Sequence, residues 1–268
     1  MLKGPQNPEL PLIPRVRNSF LNPHAIQWMG TKLQFFDTDA LVEMLRKGVD
    51  FKTSELVAGS MGLRNNSGTK EGFDCIRPKI KELNDLNRII KPNKKQASKI
   101  IIHPIDVIPK TQPQQYRNVH DLSCTLKTPT GKITPSFNES TPYEELPSVA
   151  LAKIDQIVTV LVFLMSLGFG ATIMLASIDL DAAYYHIPIA PKQQPQLGFM
   201  FDGQKYFANG LPFGAKASPS IFCRYINLIW LFLMTLCIIV FWYVDDCLLI
   251  GISESSTARA VEITLQVL

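Results

Sequence analysis

Seventeen uncharged residues, Leu228 to Val244, run straight into two adjacent carboxylates, Asp245 and Asp246, before the chain turns apolar again as "CLLIG". No other stretch limits the fold so strongly. Taking an ionised carboxylate out of water costs several kcal/mol unless a cation or hydrogen bonds compensate. The middle of a buried element therefore cannot carry this pair. In "FWYVDDCLLIG", β-branched and aromatic residues flank the acids and Gly251 closes the run, which predicts strand, tight turn at Val244–Asp246, strand. Two readings stay open here: a solvated Asp-Asp turn, or a hairpin tip offered to something positive.

A second uncharged run, "IVTVLVFLMSLGFGATIMLAS" (157–177), is 21 residues long. By length either run could cross a bilayer, so a two-span membrane protein is one reading. The "GFG" break at 168–170 and the carboxylates after Val244 favour the other, in which each run is a helix followed by a fully buried strand of an α/β core. At 268 residues and 46% hydrophobic, the chain can build one large core or two smaller ones. The net charge of +4 is small but unevenly placed: nine Lys/Arg against three acids lie between Lys79 and Arg117. Such an excess suits a polyanion or makes a solvated basic face. Cysteines 75, 124, 223, 237 and 247 show no paired spacing, which argues against a zinc or disulfide framework and suits a reducing, intracellular compartment. The Pro-rich start has no apolar core and does not read as a signal peptide.

Residues 1–30 read as an irregular lead-in. "DTDALVEMLRKGVDF" is an amphipathic helix capped by Asp37 or Asp39 and stopped by Gly48. Residues 59–72 read as loop, about 77–90 as helix, "SKIIIHPIDVIPK" as a bent strand with "YRNVHDLSCTL" as hairpin partner, and 128–147 as loop-rich. Next come a helix over "SVALAKIDQIVTVLVFLMSLG", a buried strand "TIMLASIDL", a short strand "QKYFANGL", a helix with Ser218 as cap and Pro219 in its first turn, and the hairpin 238–250. Asp179 ends its strand 66 residues before Asp245. If the two strands are neighbours, the acids meet at one sheet edge and need cations between them. Mg²⁺ takes such oxygen ligands, usually one or two carboxylates plus substrate phosphates. Two ions about 3.5–4 Å apart serve both oxygens of a phosphoryl transfer.

The ordered blocks "IDLDAAYYHIPI", "LPFGAKASPSIF" and "YVDD" resemble motifs A, B and C of reverse transcriptases, and "IPKTQPQQYRNVHDLS" resembles their fingers hairpin. The resemblance covers roughly residues 75–252. The "LPFG" wording, the "DLS" ending and the following "PSFNES" look closest to retrotransposon enzymes, DIRS-type first and gypsy-type second. It implies an α+β right-hand polymerase with fingers and an antiparallel palm sheet backed by helices. The expected division is 1–74 as N-terminal extension, 75–172 as fingers-like region and 173–268 as palm.

Carried over by residue, the resemblance makes Asp179 and Asp245 catalytic metal ligands, with Asp246 completing the acidic cluster around two Mg²⁺, or Mn²⁺ in their place. Asp181 has no metal role in the pattern and goes to solvent or a local salt bridge. Lys110 and Arg117 grip the dNTP phosphates, and Ala182 and Ala183 offer backbone N–H groups to them. Tyr184 stands against a 2′-hydroxyl and so favours deoxynucleotides. Phe213 takes the place of a retroviral Gln, Gly214 lets backbone approach the nucleotide, and Tyr243, Lys91, Lys94 and Lys95 face template–primer. The chain stops about one helix past the hairpin, so the thumb is expected to be absent and the sequence a fragment. Thumb, ribonuclease H and a recombinase of a retroelement polyprotein are the expected protein partners, with RNA or DNA template–primer and dNTP as ligands and no membrane. A nucleic-acid-binding remnant without turnover is the other functional reading.

Overall fold

The computed structural model describes residues 19–53, 56–110, 115–142, 149 and 151–268; the Pro-rich opening, the hairpin tip 111–114, and residues 148 and 150 at the head of the expected helix lie outside them. Helix α1 (Pro23–Leu33) forms where an irregular lead-in is expected. The Asn22 side chain caps it by accepting from His24 N at 2.8 Å, and Pro23 sits in the first turn, where its missing N–H costs nothing. Proline at a helix entrance is favoured, whatever its effect elsewhere. Helix α2 (Thr38–Lys47) forms where the pattern predicts and ends at Gly48, φ 80°, but of the two expected caps Asp39 lies inside its first turn and the Asp37 carboxylate accepts from Arg224. After β1 (Met61–Gly62), α3 (Lys70–Asp85) starts earlier than residue 77, because Thr69 Oγ1 accepts from Gly72 N at 3.0 Å and caps it.

Short elements come next: β2 (Ile89–Ile90), α4 (Lys94–Ala97), β3 (Ile102–His103), β4 (Ile105–Pro109), β5 (Tyr116–His120), β6 (Leu126–Lys127), β7 (Ile133–Thr134) and α5 (Phe137–Ser140). Then α6 (Ile154–Leu164) runs into a wider turn, Met165–Phe169, that Gly168 (φ 89°) breaks before β8 (Met174–Asp179). The chain closes with β9 (Gly198–Phe201), β10 (Gln204–Ala208), α7 (Ser218–Thr235), β11 (Ile239–Tyr243), β12 (Asp246–Gly251) and α8 (Glu254–Val267). The class is mixed α+β. Ser218 lies inside α7 and its hydroxyl donates to Pro212 O at 3.0 Å, a role other than the expected cap.

Two units interleave along the sequence. The first (1–19, 43–146, 184–218) holds a seven-stranded mixed sheet, β2-β10-β9-β3-β1-β6-β7, and the separate antiparallel hairpin β4–β5. Leu83, Ile100, Ile101, Phe137, Phe199 and Phe207 are among its fully buried side chains. The second (20–42, 147–183, 219–268) holds the antiparallel sheet β11-β12-β8, with α8 packed on β8 and β12. On one sheet face Phe241 and Ile250 pack with Leu164, Ile157 and Leu161 of α6. The alternate residues Val240, Trp242, Cys247 and Leu249 are buried on the other, the period-two pattern of strands covered on both faces. Tyr225 is fully buried and donates its hydroxyl to Leu41 O at 2.9 Å, while Arg224 forks onto Asp37 at 2.5 and 2.6 Å.

The uncharged runs resolve into pieces. Residues 228–244 divide between α7 and β11 at a turn where Cys237 takes φ 58°, and no helix among the described residues is long and apolar enough to cross a membrane. The 157–177 run is helix then strand as expected, but the strand is not fully buried. Leu175 is 56% exposed, and on α6 Ile154 and Phe163 are 79% and 60% exposed. Strand β8 is one of the two outer strands of this sheet, and α6 meets the sheet with one side only, which leaves its other side exposed.

Candidate active site

The acids are placed by strand register in the second unit. Strand β12 pairs antiparallel with both neighbours, so that Tyr243 stands opposite Asp246 and Asp246 opposite Asp179. Residues directly opposite in such a ladder project from the same face, which puts a tyrosine and two aspartates in one row, all three exposed. Val244 and Asp245 make the two-residue turn between β11 and β12. Val244 has φ 58°, positive at the first turn position as hairpin twist requires. A β-branched residue there is an outlier, costing about 1–3 kcal/mol, and such strain gathers at functional sites. Asp245 is bound into the ladder through its backbone: its carbonyl accepts from Leu180 N at 3.1 Å.

The carboxylates of Asp179 and Asp246 form no ion pair or hydrogen bond among the described residues. Like charges directly opposite in a ladder repel. Their hard oxygen donors fit a divalent cation that draws its other ligands from phosphates. Among the described residues no three His, Cys, Asp or Glu side chains gather closely enough to hold a metal unaided. What the fold brings together is a ladder pair with a third acid on the adjoining turn. Cys247 beside them is buried and its thiol is pushed up to about 12 by that burial, so it stays protonated and takes no part as a thiolate. Asp181 is exposed on the turn after Asp179, Ala182 there has φ 51°, and Ala183 is buried.

The remaining candidates, Tyr184, Phe213, Gly214, Lys110, Arg117, Lys91, Lys94 and Lys95, lie in the first unit. Tyr184 is buried with its ring 4.9 Å from that of Phe213, centroid to centroid, and Tyr185 adds an edge contact at 6.4 Å. Gly214 has φ 105°, and a Cβ there would fall 1.9 Å from His120 O. Only glycine fits. Its neighbour Phe213 accepts through its carbonyl from His120 N at 3.2 Å. On the β4–β5 hairpin Arg117 stands opposite Ile108, and Lys110 N continues the ladder by donating to Gln115 O at 2.7 Å. Both cations are exposed. Lys94 and Lys95 open α4 and are exposed, and Lys91 Nζ lies 5.9 Å from the Tyr206 ring centroid.

Two supporting features escape the sequence patterns. Arg64, in a stretch read as loop, donates to both oxygens of Asp106 (2.9 and 2.6 Å) and to Asp121 Oδ2 (2.8 Å), tying the two ends of the hairpin together. Its guanidinium hydrogen bonds hold the Asp106 carboxyl below the usual range. His120 and His103 are both buried, and burial lowers them to about 3 and about 4, so both are neutral at pH 7. His103 Nε2 donates to Gln196 O at 2.8 Å. A histidine in a strand carries no sequence signal that it faces inward.

Residues 108–268 match the family described as "Reverse transcriptase (RNA-dependent DNA polymerase)". Among solved structures, the native protease–reverse transcriptase of prototype foamy virus is 18% identical with a TM-score of 0.51, covering 81% of this chain and 24% of that one. The foamy viral protease–reverse transcriptase dRH in complex with ds DNA is 16% identical with a TM-score of 0.57, covering 99% of this chain and 43% of that one. This chain thus spans less than half the length of either, and the likeness at such identity is one of fold. No curated protein matches the chain.

Proposed function

Because the chain belongs to the reverse transcriptase family of RNA-dependent DNA polymerases, which are nucleotidyltransferases, we propose that it adds deoxynucleotides to a primer 3′-end on an RNA or DNA template. The observation that carries this reading is the register that sets Asp179 opposite Asp246, with Asp245 on the joining turn. Asp179 and Asp245, supported by Asp246, hold Mg²⁺. When bound, the two ions activate the attacking 3′-oxygen and stabilise the departing pyrophosphate. Lys110 and Arg117 neutralise the β- and γ-phosphates as charge builds on them. Ala182 and Ala183 present backbone N–H groups to the triphosphate. The Tyr184 ring, backed by Phe213, blocks a 2′-hydroxyl and selects deoxyribose, and Gly214 lets the turn that carries Phe213 close against the His120 backbone.

Tyr243 and the exposed lysines 91, 94 and 95 contact template–primer, in keeping with the ds DNA bound by the foamy viral relative. Most of that affinity is phosphate contact and falls as salt rises. We assign the β4–β5 hairpin to the fingers, the β11-β12-β8 sheet to the palm, and the source to a DIRS-type retrotransposon before a gypsy-type one. Reading frames for a thumb, ribonuclease H and a recombinase in the flanking DNA would check that assignment.

The test is dNTP incorporation on primed RNA with Mg²⁺. Asp245→Asn is expected to lower it by about 10³-fold, the scale on which removing a group that stabilises transition-state charge is felt. Incorporation at the wild-type rate in that variant overturns the chemistry. Salt-sensitive duplex binding without turnover in the wild type would leave the remnant reading in its place.

A further inference from the structure

Asn138 belongs to "PSFNES", a stretch to which the catalytic reading gives no task. It sits on the one-turn helix α5, held at its entrance by reciprocal bonds between Ser136 and Glu139 and buried through Phe137, which packs edge-on to Phe51 at 5.1 Å. Asn138 N donates to Leu122 O at 2.9 Å. On this rigid seat the carboxamide reaches the turn that follows Phe213. Its Nδ2 donates to Gly214 O (2.8 Å) and to Ser123 Oγ (2.9 Å), and its Oδ1 accepts from Lys216 N (3.0 Å). A primary amide can donate to one peptide group and accept from another at once.

We infer that Asn138 is a positioning residue for nucleotide binding: its carboxamide brackets the Gly214–Lys216 backbone and thereby sets Phe213 against Tyr184. The inference rests on the polymerase reading and adds to it. The turn is also held by His120 N on Phe213 O and by Ser218 Oγ on Pro212 O. Within the turn, Ala215 N donates to Pro212 O at 3.5 Å and Ser218 N to Ala215 O at 3.0 Å. None of these bonds engages Gly214 O or Lys216 N, so the bracket between those two groups is the contribution of Asn138.

The test uses the full chain with Asn138→Asp and Asn138→Ala. An aspartate keeps the acceptor for Lys216 N–H, but when ionised it sets an oxygen against Gly214 O instead of a donor. The expected result for Asn138→Asp at pH 7.5 is a KM for dNTP raised about tenfold with kcat within about twofold, the size of one lost hydrogen bond in a ground-state contact. The Asn138→Ala variant, which loses donor and acceptor together, should raise that KM at least as much. Amide exchange at Lys216 should quicken about tenfold in Asn138→Ala while the β4–β5 amides keep their protection. Unchanged KM in both variants, or a loss confined to kcat, overturns the inference. An inert wild-type chain counts against the polymerase reading alone, and the Lys216 amide then decides: unchanged protection there removes the bracket.

Discussion

Two aspartate pairs in this chain meet opposite fates. Asp106 and Asp121, in the first unit, share one guanidinium, Arg64, which donates to both at 2.6–2.9 Å. Asp179 and Asp246, in the second, stand opposite each other in a ladder with no cation among the described residues. The first pair is compensated within the fold and serves it. The second leaves like charges exposed side by side, one on a strained hairpin and one on the strand beside it, an arrangement that costs stability and makes sense when a ligand supplies the missing charge. Acid clusters of one composition can thus be told apart by asking which of them the protein has already neutralised.

The comparison breaks most visibly at Asp179. Asp179→Asn should abolish dNTP incorporation by about 10³-fold or more while leaving the urea unfolding midpoint unchanged or slightly higher. A variant that loses stability along with activity would put this acid in the structural class with Asp106.

The converse test is Arg64→Ala, with a smaller effect on stability. Leaving Asp106 and Asp121 without their donor should cost about 1–2 kcal/mol, held to the low end because the guanidinium is half exposed. The pH profile sharpens it. Arg64 is the chief cause that lowers the folded Asp106 carboxyl below its ordinary 3.8, so its contribution is present above that pH and is lost as pH falls through the folded value. His103 and His120, lowered from 6.5 by burial, also favour the folded state less as the pH falls, and their loss begins near 6.5. Unfolding midpoints against pH should therefore show two limbs, and Arg64→Ala should flatten the lower one only. Flattening of the upper limb would mean that Arg64 acts through the histidines.

The smallest effect is expected at Asp246. Asp246→Asn relieves the cross-strand repulsion and should raise stability by a few tenths of a kcal/mol, about 0.2–0.5. Mg²⁺ should raise the Tm of the wild type more than that of Asp246→Asn, since binding to the folded state stabilises it. Equal Mg²⁺ responses would place the ion elsewhere.

Local signals were readable where the governing contacts are local. Helix α2, the β4–β5 hairpin and the β11–β12 hairpin follow from periodicity and turn residues, and the blocks that carry the family resemblance follow from their order. Misreadings arose where one residue type has two meanings. Pro23 begins α1 although prolines suggested irregular chain, and Thr69 caps α3 from within a polar stretch. The apolar run before Asp179 promised burial, yet β8 is an outer strand. Hydrophobicity states what a segment prefers, and only its neighbours decide whether it gets it.

From the sequence alone came the identity of the acids, their place at strand ends and the order of the blocks, because dihedral preference, capping and side-chain alternation act over a few residues. The tertiary structure alone decided that Asp179 stands opposite Asp246, that Arg64 closes on Asp106 and Asp121, and that Asn138 reaches the Gly214 turn. Each of these joins residues dozens of positions apart, and their register depends on which strands and loops pack together, information that no short stretch of chain contains.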